Sequence, residues 1–319
     1  MRTKLLYGVL ALSVAGMTGC YIDDWGDVTG WQRYSRDFHY NYPLSAGGTV
    51  SVETFNGSIE VSTWDQDTVD VSGTKYGPTQ EAADSLRIDT DHSPSSVSLR
   101  AVRSVERRNN QGAKFVVKVP RKAILERLTS TNGSIRTEDG VGPARFRTTN
   151  GGIRVEGLRG SLDAQTTNGG IDLVDMEGDA AVHTSNGHIH AERLRGSLDA
   201  TTSNGGVSGE IERAGREIRV STSNGSVDLQ LPSGVTQDVR AHTSNGGITL
   251  HLPEKTNARL SLHVELFGAL GIGPYGTGRI QQEPPGGHDR LRGAAGGVEH
   301  HQRDHPPGQD VNREMMGRR

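Results

Sequence analysis

The stretch LTSTNGSIRTEDGVGPARFRTTNGGIRVEGLRGSLDAQTTNGGIDL (Leu128–Leu173) repeats one phrase three times: two hydroxyl residues, Asn-Gly, and isoleucine three residues after the Asn. The phrase opens at Asn132, Asn150 and Asn168 and continues at Asn186, Asn204, Asn224 and Asn245. The steps are 18, 18, 18, 18, 20 and 21 residues, and the two residues before every Asn are Ser or Thr. A fixed period of this length marks a stacked repeat architecture.

Aligned on the Asn, the residues three places on are Ile135, Ile153, Ile171, Ile189, Val207, Val227 and Ile248. Apolar side chains also dominate five places after the Asn (Val155, Leu173, Leu229, Leu250) and four places before it (Leu128, Phe146, Val182, Val220). Polar residues such as Arg136, Arg154, Asp172 and His190 alternate with them, and a period of two is that of a strand. A second turn is marked ten residues after the Asn by Gly142, Gly160, Gly178, Gly196 and Gly234. Each unit therefore reads as two strands and two turns.

Asn-Gly also suits a two-residue hairpin. A hairpin would pair the two halves of one repeat, whereas matching columns at a constant period are what in-register parallel stacking produces. The predicted fold is all-β, a single-stranded parallel β-helix or β-solenoid with coils of about 18 residues. Within it the Asn is expected to take the left-handed conformation, the Gly to supply positive φ, and the amides of Asn132, Asn150, Asn168, Asn186, Asn204, Asn224 and Asn245 to form a turn ladder. No coil buries enough apolar surface to fold alone, so stability comes from neighbours.

Residues 47–264 are expected to form one solenoid domain, with regular coils over 126–264 and an irregular N-terminal cap over 47–125. The cap contains one recognisable unit around Asn56, strands near 69–72, 96–101 and 114–119, and a short helix near 79–86. After Val264 the strand alternation stops, and residues 265–319 hold 12 Gly and five Pro. That tail reads as disordered or as out of frame, since synonymous codons for Gly271–Arg290 read one base later can encode a strand-like string.

Upstream, Arg2 and Lys4 precede the apolar run Leu5–Ala15, and Met17-Thr18-Gly19-Cys20 closes it with small residues and a cysteine. Residues 1–19 resemble a bacterial lipoprotein signal peptide, although Met17 stands where that pattern usually has Leu. The resemblance implies cleavage before Cys20, the only cysteine in the chain, and its lipidation. Two or more acyl chains anchor stably where one is marginal. Residues 20–46 then form a tether. The expected location is the cell envelope, at the outer membrane of a two-membrane bacterium because Tyr21 and not Asp follows the cysteine.

The motifs VETFNGSIEV (Val52–Val61), LTSTNGSIR (Leu128–Arg136) and TSNGGITL (Thr243–Leu250) resemble the bacterial putative-adhesin domain family over about 47–264. The resemblance implies a parallel β-helix of envelope proteins with no established reaction, so no catalytic residue is carried over.

The chemistry elsewhere is sparse. His183, His188 and His190 share one coil, but His183 and His190 are expected to point outward from opposite strands, so no metal site or cofactor is predicted. Arg127, Arg136, Arg145, Arg147 and Arg154 concentrate positive charge on the first coils and could hold an anionic glycan or lipid headgroup, or simply form a solvated face with Glu126, Glu138 and Glu156. Asp163 and Asp199 occupy equivalent places two coils apart, yet the coils are too short to build the cleft of a polysaccharide-active enzyme. A net charge of -3 offers nothing to nucleic acid. Two readings stand: a non-enzymatic surface binding module or adhesin with a glycan or envelope-protein partner, and a structural or regulatory envelope scaffold with no external ligand. A monomer is expected in either case.

Overall fold

The computed structural model describes residues 34–103, 110–253, 259–266, 270–273, 279–280 and 289–292, with side chains as far as 264. The expected signal peptide, Cys20 and the first part of the tether lie outside the described residues.

The chain enters with β1 (Tyr34–Pro43), β2 (Thr49–Glu53), β3 (Ile59–Trp64), β4 (Thr68–Gly77), helix α1 (Gln80–Ser85), β5 (Arg87–Ser93), β6 (Ser96–Val102) and β7 (Gly112–Pro120). Regular coils follow as β8 (Ile124–Thr129), β9 (Ile135–Val141), β10 (Ala144–Arg147), β11 (Ile153–Arg159), β12 (Leu162–Gln165), β13 (Ile171–Val174) and β14 (Ala180–Asn186). They continue as β15 (Ile189–Asn204), β16 (Val207–Asn224), β17 (Val227–Gln230), β18 (Asp238–Asn245), β19 (Ile248–His251), β20 (Arg259–Leu266) and β21 (Leu270–Gly273).

The coils stack in parallel as a β-solenoid of about seven turns. On the side before the Asn, β8, β10, β12 and β14 lie in register, so Phe146 sits between Leu128 and Ala164. On the side after it, β9, β11 and β13 place Ile153 between Ile135 and Ile171. Like residues thus stand over like at strand spacing, which is why apolar columns are visible along the chain. These columns form one continuous core.

The coil has a third side where two strands were expected. Seven residues after the Asn the backbone turns through a left-handed residue at Asp139 (φ 52°), Gly157 (φ 69°), Asp175 (φ 52°) and Arg193 (φ 53°). The next residue then points inward: Leu158, Met176 and Leu194 are at most 1 % exposed. Arg159, Glu177 and Arg195 continue the parallel stacking beyond them. The kink interrupts the period of two, so this inward column escapes a search for alternation.

The expected irregular cap over 47–125 does not stack in chain order. β2 and β3 flank Asn56 and stack directly on β8 and β9. On their other side lie β6 and β7, which come later in the chain. The coil made by β6 and β7 is thus outermost, and the chain crosses back over the coil of β2 and β3 to begin β8. Beyond it, β4 pairs antiparallel with β7, β1 with β4, and β5 with β6. Antiparallel strands close the end of the stack, a common way to blunt an exposed edge. Phe38 meets Phe115 edge-on with ring centroids 5.4 Å apart, and Tyr42 lies 4.4 Å from His92. Phe38, Tyr40 and Tyr42, in the described part of the expected tether, therefore pack against the cap. Helix α1 starts where Thr79 accepts a hydrogen bond from the Ala82 amide at 3.1 Å, an N-cap.

At the other end the stacking passes the expected boundary at 264: β20 pairs with β18, and β21 with β19, Leu270 lying against Ile248. β22 (Arg279–Ile280) and β23 (Asp289–Arg292) then pair antiparallel with β21 and β20. The alternation is weak there because Gly271 and Gly273 occupy the outward places of β21.

Candidate functional site

The Asn-Gly corner is built by three aligned rows. In the first, the Nδ2 of Asn132, Asn150, Asn168, Asn186, Asn204, Asn224 and Asn245 donates to the Oδ1 of the preceding Asn at 2.6–3.0 Å. Asn56 completes the row by donating to the Gln111 carbonyl at 2.8 Å. In the second row, the buried hydroxyl two places before each of those seven Asn donates to the Gly carbonyl of the coil before, as Thr184 does to Gly169 at 2.9 Å, while Thr54 donates to the Ala113 carbonyl at 3.0 Å. In the third row the Gly backbones touch: a Cβ on Gly169 would stand 2.2 Å from the Gly151 oxygen.

This corrects the expected role of the motif. None of the ladder asparagines is left-handed; among the described residues the non-glycine positive φ values belong to Asn110, Asp139, Asp175 and Arg193. The Asn serves its side-chain row, and the Gly is required because no side chain fits between adjacent coils. The corner is thus spent on its own hydrogen bonds.

The expected arginine cluster does not form one patch. Arg127 and Arg145 are neighbours on the side before the Asn, with Arg147 two residues on, while Arg136 and Arg154 lie on the other side. Arg147 and Arg145 both reach Asp163, the latter at 3.7 Å. Arg136 pairs with Glu138 at 3.1 Å and Arg154 with Glu156 at 3.4 Å. Most of this charge is neutralised locally.

His183 lies on β14, whereas His188 and His190 flank the start of β15. His188 meets Asp172 at 3.1 Å and His190 meets Ser208 at 2.9 Å.

The third side carries a separate row of paired charge. Arg193 binds Asp175 through two bonds of 2.6 and 2.7 Å, Arg195 binds Glu212 at 2.8 Å, and Arg213 reaches Glu177 at 3.3 Å. The Arg193 hydrogen bonds hold the Asp175 carboxyl below the ordinary carboxylate range and raise the guanidinium.

A groove of about 1180 Å³ crosses the outer surface of the side before the Asn. It crosses the strands from β8 to β18, seven rungs and roughly 30 Å at the usual strand spacing. Small residues Ser161, Ala181 and Ser197 stand within its lining. Its lining has six carboxylates, among them Glu126, Asp163, Asp199 and Glu217, against three guanidiniums, Arg127, Arg145 and Arg216. Asp179, within it, is held below the ordinary carboxylate range, first by hydrogen bonding from Ser197 and then by Arg216. It remains an anion and an acceptor near neutrality and is no proton donor. No motif announces this groove, because its lining mixes two outward columns, Pro143, Ser161, Asp179 and Ser197 beside the second turn and Arg127, Arg145, Asp163, Ala181 and Asp199 next to it.

No curated protein matches the chain. Crystal structures similar to it include the following three. A putative adhesin from Bacteroides fragilis is 13 % identical with a TM-score of 0.37, over 74 % of this chain and 96 % of that one. A putative lipid binding protein from Parabacteroides distasonis is 14 % identical with a TM-score of 0.43, over 76 % and 98 %. A putative cell adhesion protein from Clostridium sporogenes is 10 % identical with a TM-score of 0.26, over 61 % and 100 %. With the model of Toastrack DUF4097 matching residues 49–265, about two thirds of the sequence, the chain belongs to the Toastrack family.

Proposed function

We propose that the protein is a lipid-anchored binding module of the cell envelope, with no reaction of its own, that holds an extended hydroxyl-rich chain such as an envelope glycan. The groove across seven rungs carries this reading. Its length admits a chain laid along the stack, and its carboxylates and Ser161 and Ser197 offer acceptors to hydroxyl donors. An anionic ligand suits it less, since carboxylates outnumber guanidiniums two to one. Cys20 at the end of an apolar leader supports the anchor.

Binding of the full chain to isolated envelope glycan, measured by co-sedimentation and calorimetry, tests the reading. Ala181→Arg, which fills the groove, is expected to abolish binding while leaving the circular dichroism unchanged. Equal binding by this variant would overturn the groove as the site. Cys20→Ala is expected to move the protein from the membrane to the soluble fraction, and unchanged fractionation would rule out lipidation. Protease shaving of intact cells separates a surface module from a scaffold facing the periplasm.

A further inference from the structure

Charge is distributed unevenly along the groove. From Asp163 to Asp238 every carboxylate that lines it has a guanidinium within 3.8 Å, the closest being Arg147 on Asp163 and Arg216 on Asp179. That stretch satisfies itself. At the β8 end the lining holds Glu126, Arg127 and Arg145, and there the pairing fails. Neither Arg127 nor Glu126 forms a side-chain hydrogen bond or ion pair with any described residue. Arg145 reaches Asp163 only at 3.7 Å, and Arg147 already holds that carboxylate.

Arg127 and Arg145 are register partners on β8 and β10, so their side chains leave the backbone one strand spacing apart, roughly 4.8 Å. Like charges directly opposite each other on adjacent strands repel. The same column holds a second such pair, Arg219 and Arg240 on β16 and β18, but there Glu217 holds Arg219 and Asp238 holds Arg240, each at 3.4 Å. On its other flank Arg127 meets Ser51 of β2, which carries no charge. Both Arg127 and Arg145 are exposed. One arginine pair is thus neutralised by the protein itself, and the other is not.

Resting on the reading of the groove as the seat of a hydroxyl-rich chain, we propose that Arg127 and Arg145 form an anion subsite that takes one acidic group of that chain, a carboxylate or a phosphate. Two guanidiniums at strand spacing offer N–H donors to two oxygens of one compact anion, and the anion removes their mutual repulsion. From Asp163 onward the guanidiniums of the groove are already matched, so a second acidic group would meet carboxylates there and is disfavoured. The subsite therefore fixes the direction of the chain. Its acidic group lies at β8, and its neutral, hydroxyl-bearing part runs toward β18. Arg127 and Arg145 are specificity-determining residues in this arrangement.

Inorganic phosphate titrated into the isotope-labelled full chain, with the arginine Nε–Hε signals followed by NMR, reads the subsite without reference to any glycan. The signals of Arg127 and Arg145 are expected to move together along one saturating curve, while those of Arg219 and Arg240 stay in place. Arg127→Gln is expected to remove the saturation at Arg145. No saturable movement at the pair, or equal movement at Arg219 and Arg240, would overturn the subsite. Calorimetry with isolated envelope glycan then uses three preparations: untreated, with its carboxyls amidated, and with its phosphates removed. Arg127→Gln and Arg145→Gln are each expected to weaken binding of the untreated glycan on the order of tenfold, the loss of a charge-assisted hydrogen bond. The treatment that abolishes this difference identifies the group as carboxylate or phosphate. Undiminished binding of the untreated glycan by both variants would overturn the proposal. If phosphate fills the subsite and no glycan binds the unaltered protein, the reading of the groove fails and the anion subsite stands without it.

Discussion

Asn132 donates its side-chain amide to the Oδ1 of Asn56 at 2.6 Å across 76 residues of intervening chain. That one bond shows that the coil of β2 and β3 is the true first neighbour of the regular stack. Everything between β3 and β8 has been laid on its far side. Coupling between the two residues should therefore be measurable. Asn56→Ala and Asn132→Ala in a double-mutant cycle are expected to be non-additive by about 0.5–1.5 kcal/mol in urea unfolding. Strict additivity would mean that the ladder does not cross the cap.

Two adjacent glycines should differ sharply. A Cβ on Gly151 would stand 2.3 Å from the Gly133 oxygen, whereas on Gly152 the nearest atom is 3.4 Å away. Gly151→Ala is expected to cost about 3 kcal/mol or more, because backbone cannot yield as a side chain can. Gly152→Ala should stay within about 1 kcal/mol. Thermal unfolding of the pair separates close approach from chain flexibility, which would affect both alike.

The buried hydroxyl row should act through its hydrogen bonds. Thr184 is fully buried and donates to Gly169 at 2.9 Å. Thr184→Val keeps the shape and removes the donor, with an expected loss of about 1–2 kcal/mol, and Thr184→Ser should retain most of the stability. If Val and Ser behave alike, packing and not the bond explains the column.

Acid should weaken the third side and the groove together. The carboxyls of Asp175 and Asp179 lie below their ordinary value of 3.8 in the folded protein. Their contribution is fully present above that value and is lost as pH falls through the lower folded one, since the unfolded chain then binds more protons. The urea midpoint is expected to be flat on this account from neutrality to about pH 5 and to fall below pH 4. Asp175→Asn and Asp179→Asn should each flatten the acid limb. An unchanged limb in both would show that these ion pairs are too solvated to matter.

Much of the architecture was legible in the chain because parallel stacking writes itself into sequence. Ile135, Ile153, Ile171 and Ile189 share one environment, so one residue type recurs at the coil length. Strand content, turn register, the Asn row and the short helix near Thr79 follow from period and local propensity. What only the tertiary structure decided depends on contacts without a period. The placing of β6 and β7 outside β2 and β3 joins segments by pairing across an insertion, and no local signal encodes which side of the stack receives it. The third side is hidden because Asp139, Asp175 and Arg193 take a left-handed turn that glycine alone would have advertised. Arg136 and Arg145 look like neighbours in the chain but are sent to different faces by the corner turn between them. The groove exists only because stacking brings outward residues of seven rungs, from Glu126 to Asp238, side by side.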